Sequence, residues 1–211
     1  MQSPAEATIA IAAGADAVGL VSRMPSGPGP ISDERIAEIA STVPPGIETF
    51  LLTSETTSER IISQLRRSGA STIQLVDEVD PGVHSAIRDA LPGISIVQVI
   101  HVQGEGAIAQ AVLAAPDVDA ILLDSGNPTL AVKELGGTGR AHDWAISRAL
   151  REAVAVPVWL AGGLNAANVG AAIAQVGPFG VDICSGVRTA GALDERKLAG
   201  FMRAVGDCHS P

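Results

Sequence analysis

Short apolar runs alternate with helical stretches along the whole chain, and this alternation constrains the fold more than any other feature of the sequence. The apolar runs cover residues 16–21, 49–52, 72–76, 95–100, 120–123, 156–160 and 181–184. The helical stretches begin near residues 4, 32, 58, 81, 105, 144, 166 and 194. Strands that are apolar at successive positions are typical of a parallel sheet buried on both faces. The pattern therefore predicts an α/β protein whose parallel sheet is covered by helices.

The order of these elements favours a TIM (β/α)8 barrel over an open doubly wound sheet. The chain has eight helical stretches but seven strands, and it begins with a helix where a barrel begins with a strand. Seven strands also suit a doubly wound sheet, but the glycines at 136–139 lack the spacing of a dinucleotide-binding fingerprint. No break in composition marks a linker. We therefore expect one barrel domain over residues 1–211, with its first β-strand missing from this chain.

Charge and composition argue against several classes of partner. The chain has a formal net charge of −9 and no basic cluster, so we do not expect nucleic acid as a partner. No apolar run reaches the length of a membrane span, so we expect no membrane partner. Cys184 and Cys208 lack the spacing of a metal site. Unpaired cysteines are typical of a reducing compartment, and we expect a cytoplasmic protein.

The stretch from residue 120 to residue 144 predicts a reactive site. Asp124 directly follows an apolar run, so its carboxyl group lies where a buried strand meets its outgoing loop. That loop ends in the glycine-rich segment 136–139, and Trp144 then opens the next helix. In α/β barrels, the loops at the carboxyl ends of the strands carry the catalytic groups. Asp124 as a simple turn cap is the alternative, and the glycine-rich loop favours the reactive role.

Two further strand ends carry glycines that suit a phosphate group. Gly162 and Gly163 follow the strand at 156–160, and Ser185 and Gly186 follow the strand at 181–184. In barrels, the loops after the last two strands commonly offer backbone N–H groups to a phosphate. A glycine lets the anion approach the backbone, because it has no Cβ. Ordinary tight turns are the alternative, but the occurrence of both signals on consecutive strands favours a phosphate site.

Several motifs together resemble the phosphoribosylanthranilate isomerase family of tryptophan biosynthesis. The resemblance covers nearly the whole chain in the right order, and it is most specific in the blocks 122–144 and 160–187. The matching segments are residues 12–19, 73–75, 122–125, 136–139, 143–144, 160–165, 168–169 and 181–187.

The resemblance implies an enzyme that catalyses an Amadori rearrangement, in which an aminoaldose becomes an aminoketose with no cofactor and no metal ion. Its partner is a small sugar-phosphate substrate, and members of the family are monomers or homodimers. By motif position, Asp124 matches the general acid that protonates the ring oxygen, and a low-dielectric strand end favours the protonated carboxyl group. The substrate-binding positions implied are Gln74, Gly137, Gly162, Gly163, Ser185 and Gly186, of which the last four match the phosphate cradle.

The chain departs from the family pattern at three places. The family's general base is a cysteine in a Lys-Ile-Cys-Gly segment of the first strand, and this sequence lacks that segment. The resemblance alone therefore does not account for turnover by this chain. The family's Ser-Pro-Arg motif, whose arginine holds the anthranilate carboxylate, reads Met24-Pro25-Ser26 here, and Arg23 is the candidate to replace that arginine. The family's Gln-Leu-His-Gly motif reads Gln74-Leu75-Val76-Asp77.

Two other functions stay open on the sequence. One is a non-catalytic paralogue that binds a sugar phosphate, which the missing base segment favours. The other is a related phosphate-barrel enzyme that uses Asp124 on a different sugar-phosphate amine, which the altered carboxylate-binding motif favours. His101 ends a predicted strand and is a candidate for either a structural role or a site role, whereas His84 is expected to face solvent on a helix.

Overall fold

Seven parallel strands form one sheet in the order in which they occur along the chain. The computed structural model describes residues 1–27, 29–136 and 142–208. The strands are β1 (Ala17–Val21), β2 (Glu48–Thr53), β3 (Thr72–Leu75), β4 (Ser95–His101), β5 (Ala120–Asp124), β6 (Val158–Leu160) and β7 (Gly180–Val181). A doubly wound sheet reverses its strand order partway across, whereas a barrel does not. The predicted barrel winding is confirmed, and the doubly wound alternative is wrong.

Eight α-helices alternate with these strands in the described part of the chain. They are α1 (Pro4–Ala12), α2 (Asp33–Thr42), α3 (Ser58–Ser68), α4 (Val83–Ala90), α5 (Gly106–Ala114), α6 (Trp144–Ala153), α7 (Val169–Val176) and α8 (Glu195–Asp207). The side chain of Ser3 caps α1 by accepting a hydrogen bond from the backbone N–H of Glu6, and Pro4 takes the first helical position. Asp143 caps α6 in the same way.

Apolar side chains pack on both faces of the sheet. On the outer face, fully buried residues such as Ile73, Leu123 and Leu160 pack against the helices. On the inner face, a second cluster fills part of the space that the curled sheet encloses, which we call the lumen. This lumen cluster consists of Phe50, Val76, Val97, Val99, Ala120, Leu122, Leu135 and Ala161. Because successive side chains of a strand point to opposite faces, β2, β4 and β5 each contribute to both clusters.

The structure differs from the sequence-based prediction around the last strand of the sheet. β7 contains only Gly180 and Val181, whereas the apolar run predicted a strand over 181–184. A 3-10 turn follows at Ser185–Val187. Among the described residues, β7 pairs with β6 alone, so a single neighbouring strand supports its extended backbone. An antiparallel hairpin that the sequence did not predict comes next, formed by β8 (Arg188–Thr189) and β9 (Ala192–Leu193).

Helix α7 also begins later than predicted. The sequence predicted a helical stretch that begins near residue 166, but the helix begins at Val169, with Asn168 at the N-cap position. The side chain of Asn168 accepts a hydrogen bond from the backbone N–H of Asn165 at 2.8 Å. Residues 165–168 therefore form a turn that fixes the loop after β6.

The two edges of the sheet, β1 and β7, face a gap that we call the seam. Within the described residues, β1 pairs only with β2, and β7 only with β6. The amino group of Met1 donates a hydrogen bond to the carbonyl of Gly19, so the start of the chain lies along the outer edge of β1. Arg188 and Glu6 form a half-buried ion pair with an N–O distance of 2.8 Å, which links the hairpin after β7 to helix α1. In the part of the chain that the structure describes, the Glu6–Arg188 ion pair therefore links the two sides of the seam.

Candidate active site

A cavity of about 550 Å³ extends from the lumen into the seam. Its wall at the carboxyl ends of the strands includes Met24, Gln74, Asp124 and Gly136. Its wall along the seam includes Gly19, Val181 and Asp182, and helix α8 closes it on the outer side with Leu198, Phe201 and Met202. Most of these walls are apolar, and the polar groups gather at the carboxyl edge of the sheet. This is the arrangement expected of a small-molecule site in a barrel.

Asp124 ends β5 with its side chain buried in the wall of this cavity. The backbone N–H of Ser125 donates a hydrogen bond of 2.7 Å to Oδ1 of Asp124. The other oxygen, Oδ2, faces Gly136, where an added Cβ would approach it to 2.7 Å. Gly136 has a φ of 135°, which favours glycine. One carboxyl oxygen is therefore fixed by the backbone, and a glycine leaves space at the other.

The loop after β5 is held over the cavity by two contacts to distant loops. The ammonium group of Lys133 pairs with the buried carboxylate of Asp77 after β3, with Nζ 2.5 Å from Oδ2. The hydroxyl group of Ser26 after β1 donates a hydrogen bond to the carbonyl of Lys133. Leu135 of the same loop is buried in the lumen cluster. Ser26 and Asp77 both belong to motifs where the chain departs from the family pattern, so both departures now have a structural role.

The loops after β6 and β7 lie in contact, as a shared phosphate site requires. A Cβ on Gly186 would clash with the carbonyl of Leu164, so the two loops touch at this glycine. Gly162 and Gly163 both have positive φ, at 84° and 66°. The side chain of Asn168 donates a hydrogen bond of 3.0 Å to the carbonyl of Gly163, which fixes the glycine turn. Ser185 is exposed beside Gly186.

The other predicted substrate-binding residues do not all line the cavity. Gln74 is buried and lines the cavity, as the sequence predicted for a pocket residue. Arg23 is exposed and does not belong to the lining of the cavity; its carbonyl accepts a hydrogen bond from Ser54. Gly137 lies outside the described residues. The structure therefore places Gln74 in the lining of the same cavity as Asp124, and Arg23 is not part of that lining.

Both histidines near β4 have structural contacts. The Nε2 atom of His101 lies 2.9 Å from the carbonyl of Val76, and its ring packs against the backbone at Gly126. His84 was expected to face solvent, but it is half-buried, and its Nε2 lies 3.3 Å from the side-chain oxygen of Gln98. The contact pairs a helix residue with a strand residue, which the helical pattern alone does not indicate.

Asp182 was not among the predicted site residues, although it lies in the segment 181–187 that resembles the family. Asp182 follows β7 and lines the same cavity as Asp124. Although its side chain is exposed to the cavity, enclosure by the surrounding protein raises its pKa to about 6, and the charge of Asp124 adds to this shift. Burial likewise raises the pKa of the nearby Cys184 thiol. The signal for Asp182 was its place at a strand end, the same feature that identified Asp124.

Among the helices of the described residues, none is both long and apolar enough to cross a membrane.

Comparison with known proteins shows the family to which the chain belongs. The family model for N-(5'-phosphoribosyl)anthranilate isomerase matches residues 1–204. The isomerase named N-(5'-phosphoribosyl)anthranilate isomerase 2 of Methanosarcina mazei is 37% identical over 205 residues, which cover 96% of this chain and 90% of that protein. The solved isomerase of Thermotoga maritima is 27% identical with a TM-score of 0.82, covering 98% of this chain and 96% of its own. A solved isomerase in complex with reduced 1-(o-carboxyphenylamino)-1-deoxyribulose 5-phosphate is 25% identical with a TM-score of 0.79, covering 98% of this chain and 95% of its own.

Proposed function

Because the chain belongs to the N-(5'-phosphoribosyl)anthranilate isomerase family, we propose that the cavity at the carboxyl edge of its sheet is the isomerase active site. The protein is an isomerase of tryptophan biosynthesis. The observation that carries the proposed site is the buried carboxyl group of Asp124 on the wall of this cavity. Gly136 faces that group, and Gly162 lies beside Ser125, the next residue along the chain.

Asp124 is the general acid of the proposed mechanism. Its Oδ1 is held by the Ser125 N–H, so the carboxyl group keeps one orientation while Oδ2 faces the cavity side at Gly136. A proton transferred to the ring oxygen of the ribose lets the bond between that oxygen and the first sugar carbon break. The nitrogen lone pair then forms a C=N bond to the first carbon. The later steps remove a proton from the second sugar carbon and convert the enolamine to the ketone.

The phosphate of the substrate is bound by the loops after β6 and β7. Gly162, Gly163, Ser185 and Gly186 provide backbone there without bulky side chains, and contact between the two loops brings the donors toward one anion. This placement supports binding of a sugar phosphate such as the ligand of the solved relative. Gln74 lies on the cavity wall as a polar contact for the rest of the substrate.

The oligomeric state and the compartment are part of the same proposal. We expect a monomer or a homodimer that works in the cytoplasm, as one barrel domain over residues 1–211. Both cysteines are free thiols, which supports a reducing compartment.

Replacing Asp124 by Asn tests the site, because the amide keeps the shape and cannot supply the proton. General acid catalysis contributes roughly 10²–10⁴-fold, so we expect kcat of Asp124→Asn to fall by that factor. Binding of the reduced product analogue, measured by calorimetry, should change little. Asp143→Asn is the matched control, since Asn also caps a helix and the residue is exposed.

Unchanged turnover in Asp124→Asn would contradict the assignment of the acid. Tight binding of the analogue by a wild-type chain that shows no turnover would instead favour a sugar-phosphate-binding paralogue.

A further inference from the structure

The loop that follows β5 contains a segment, residues 127–134, whose two ends are joined by hydrogen bonds. The backbones of Asn127 and Glu134 exchange two of them, at 2.7 and 3.0 Å, as an antiparallel bridge. The side chain of Asn127 also accepts hydrogen bonds from the N–H and the hydroxyl group of Thr129. Because the bridge joins its two ends, a contact that holds one residue of this bridged segment holds the segment as a whole.

The bridged segment leads directly into the cavity wall beside Asp124. Leu135 comes next in the chain and is buried in the lumen cluster. Gly136 follows, and a Cβ on it would lie 2.7 Å from Oδ2 of Asp124. The carbonyl of Gly136 also faces Gly27 of the loop after β1, where an added Cβ would approach it to 3.5 Å. A displacement of the bridged segment would therefore move the groups that enclose the carboxyl group of Asp124.

An ion pair ties the bridged segment to the loop after β3. The ammonium group of Lys133 meets the carboxylate of Asp77, whose side chain is 9% exposed, whereas that of Lys133 is 46% exposed. The other carboxylate oxygen of Asp77 accepts a hydrogen bond from the Glu78 N–H at 2.9 Å. The side chain of Gln98 in β4 donates to the carbonyl of Asp77 at 3.0 Å. Asp77 is thus fixed to the sheet by its backbone and its side chain, and it offers Lys133 a defined partner.

The second contact of the bridged segment is weaker in kind. The hydroxyl group of Ser26 donates a hydrogen bond to the carbonyl of Lys133 near the surface. A neutral hydrogen bond that water can replace contributes little net stability, whereas a buried carboxylate that loses its cation is left with an uncompensated charge. The ion pair is therefore the stronger of the two contacts.

We propose that Asp77 and Lys133 are positioning residues for the isomerase reaction, because their ion pair holds Leu135 and Gly136 in place against Asp124. The inference rests on the proposed function, in which Asp124 is the general acid. Neither residue belongs to the described lining of the cavity, so both act through the loop and do not touch the substrate. A misplacement of about 1 Å in an active site can cost roughly 10²-fold in rate.

Kinetics of Asp77→Asn test the proposal, because the amide keeps the shape of the side chain and removes the charge. We expect kcat to fall by roughly 10–100-fold. KM should change much less, since Asp77 does not line the cavity. Lys133→Met should give a similar loss, and Lys133→Arg should recover part of kcat because it restores the cation. The double variant Asp77→Asn/Lys133→Met should lose no more than either single variant, as expected for two residues that act as a pair.

Glu55→Gln is the matched control, because it removes the carboxylate of another ion pair near the carboxyl edge of the sheet. Glu55 follows β2 and pairs with Arg60, and both side chains are exposed. This variant should keep the wild-type kcat. Ser26→Ala should lower kcat less than Asp77→Asn, because it removes the weaker contact. An unchanged kcat in Asp77→Asn, or losses that simply add in the double variant, would overturn the proposal.

A second measurement reports the position of the loop without turnover. Methyl NMR signals of Leu135 depend on its packing in the lumen cluster, and Leu122 of the same cluster is the internal reference. In Asp77→Asn, we expect the Leu135 signals to move toward those of an exposed leucine while the Leu122 signals stay in place. Absence of turnover in the wild-type chain would contradict the proposed function. The Leu135 signals would still test the ion pair, and unchanged signals in Asp77→Asn would overturn its role in placing the loop.

Discussion

Strands β3 to β5 have a neighbouring strand on each side, whereas β1 and β7 have one neighbouring strand each within the described residues. Every residue of β3 and β5 is buried, while both residues of β7 are only half-buried. The central strands are thus held by apolar burial on both faces. At the seam, a cavity replaces the apolar contacts, and the Glu6–Arg188 pair bridges the gap.

Asp124 and Asp182 belong to these two different regions of the sheet. Asp124 comes from a strand that is fully buried and paired on both sides, so its position is fixed by the rigid centre. Asp182 comes from the edge strand, where one side remains open to the cavity. The two carboxyl groups therefore lie in regions that differ in burial and in strand pairing.

Among the changes considered for these two regions, filling the seam with a strand should change the free energy of unfolding most. An apolar segment as long as β1, which has 5 residues, joined ahead of Met1 should pair with β1, because the Met1 amino group already contacts the Gly19 carbonyl. Each hydrogen bond gained contributes about 1 kcal/mol net, and buried apolar area adds to it. We expect the free energy of unfolding in urea to rise by on the order of 5 kcal/mol.

A Gly-Ser segment of equal length is the control, and it should leave the unfolding free energy unchanged. Equal effects of the two segments would show that the seam is not a site for a strand.

Truncating one apolar side chain in each region measures how much each region contributes to the free energy of unfolding. Leu123→Ala, at the fully buried centre, should lower the free energy of unfolding by about 3 kcal/mol, because it leaves a cavity among packed neighbours. Val181→Ala, at the half-buried seam, should lower it by about 1 kcal/mol, since less apolar area is lost. Urea unfolding of both variants gives the two values. Similar losses would contradict the view that the seam is the weaker region.

Acid should weaken the seam before the centre. Burial opposes ionisation of Glu6, but hydrogen bonds from Arg188 and from the Gln2 and Leu193 N–H groups outweigh it and lower its pKa to about 2. This stabilisation is complete above the ordinary glutamate pKa near 4.5 and is lost as the pH falls toward 2. We expect a loss of about 2 kcal/mol on this account, discounted for partial solvent access.

Hydrogen exchange at pH 6 and pH 3 locates the effect, with faster exchange expected in β1 than in β4 at the lower pH. In Glu6→Gln, the extra loss between these pH values should disappear. A Glu6→Gln variant with the wild-type pH dependence would show that this pair does not hold the seam.

Local rules were enough to predict the alternation of seven strands with eight helices and the strand end that carries Asp124. Pro4 after Ser3 gave the start of α1, and Asp143 before Trp144 gave the start of α6, because helix capping depends on residues within one turn. Asp124 was recognisable because an apolar run followed by an acid and a glycine-rich loop needs no knowledge of distant partners.

The rest of the site depends on contacts that are remote in sequence. Lys133 meets Asp77 across 56 positions, and Arg188 meets Glu6 across 182. Neither pair follows from spacing, since each forms only after the sheet has curled and brought the loops of non-adjacent strands together. The same closure leaves Arg23 outside the cavity, although its sequence position lies next to the altered carboxylate-binding motif.

The sequence by itself determined the order of the seven sheet strands and the eight helices, and the strand end that carries Asp124, because these follow from periodicity and from interactions a few residues apart. Only the tertiary structure decided that Asp182 shares a level and a cavity with Asp124. That relation depends on the register of β5, β6 and β7, in which a shift of one residue would turn the side chain of Asp182 to the other face of the sheet.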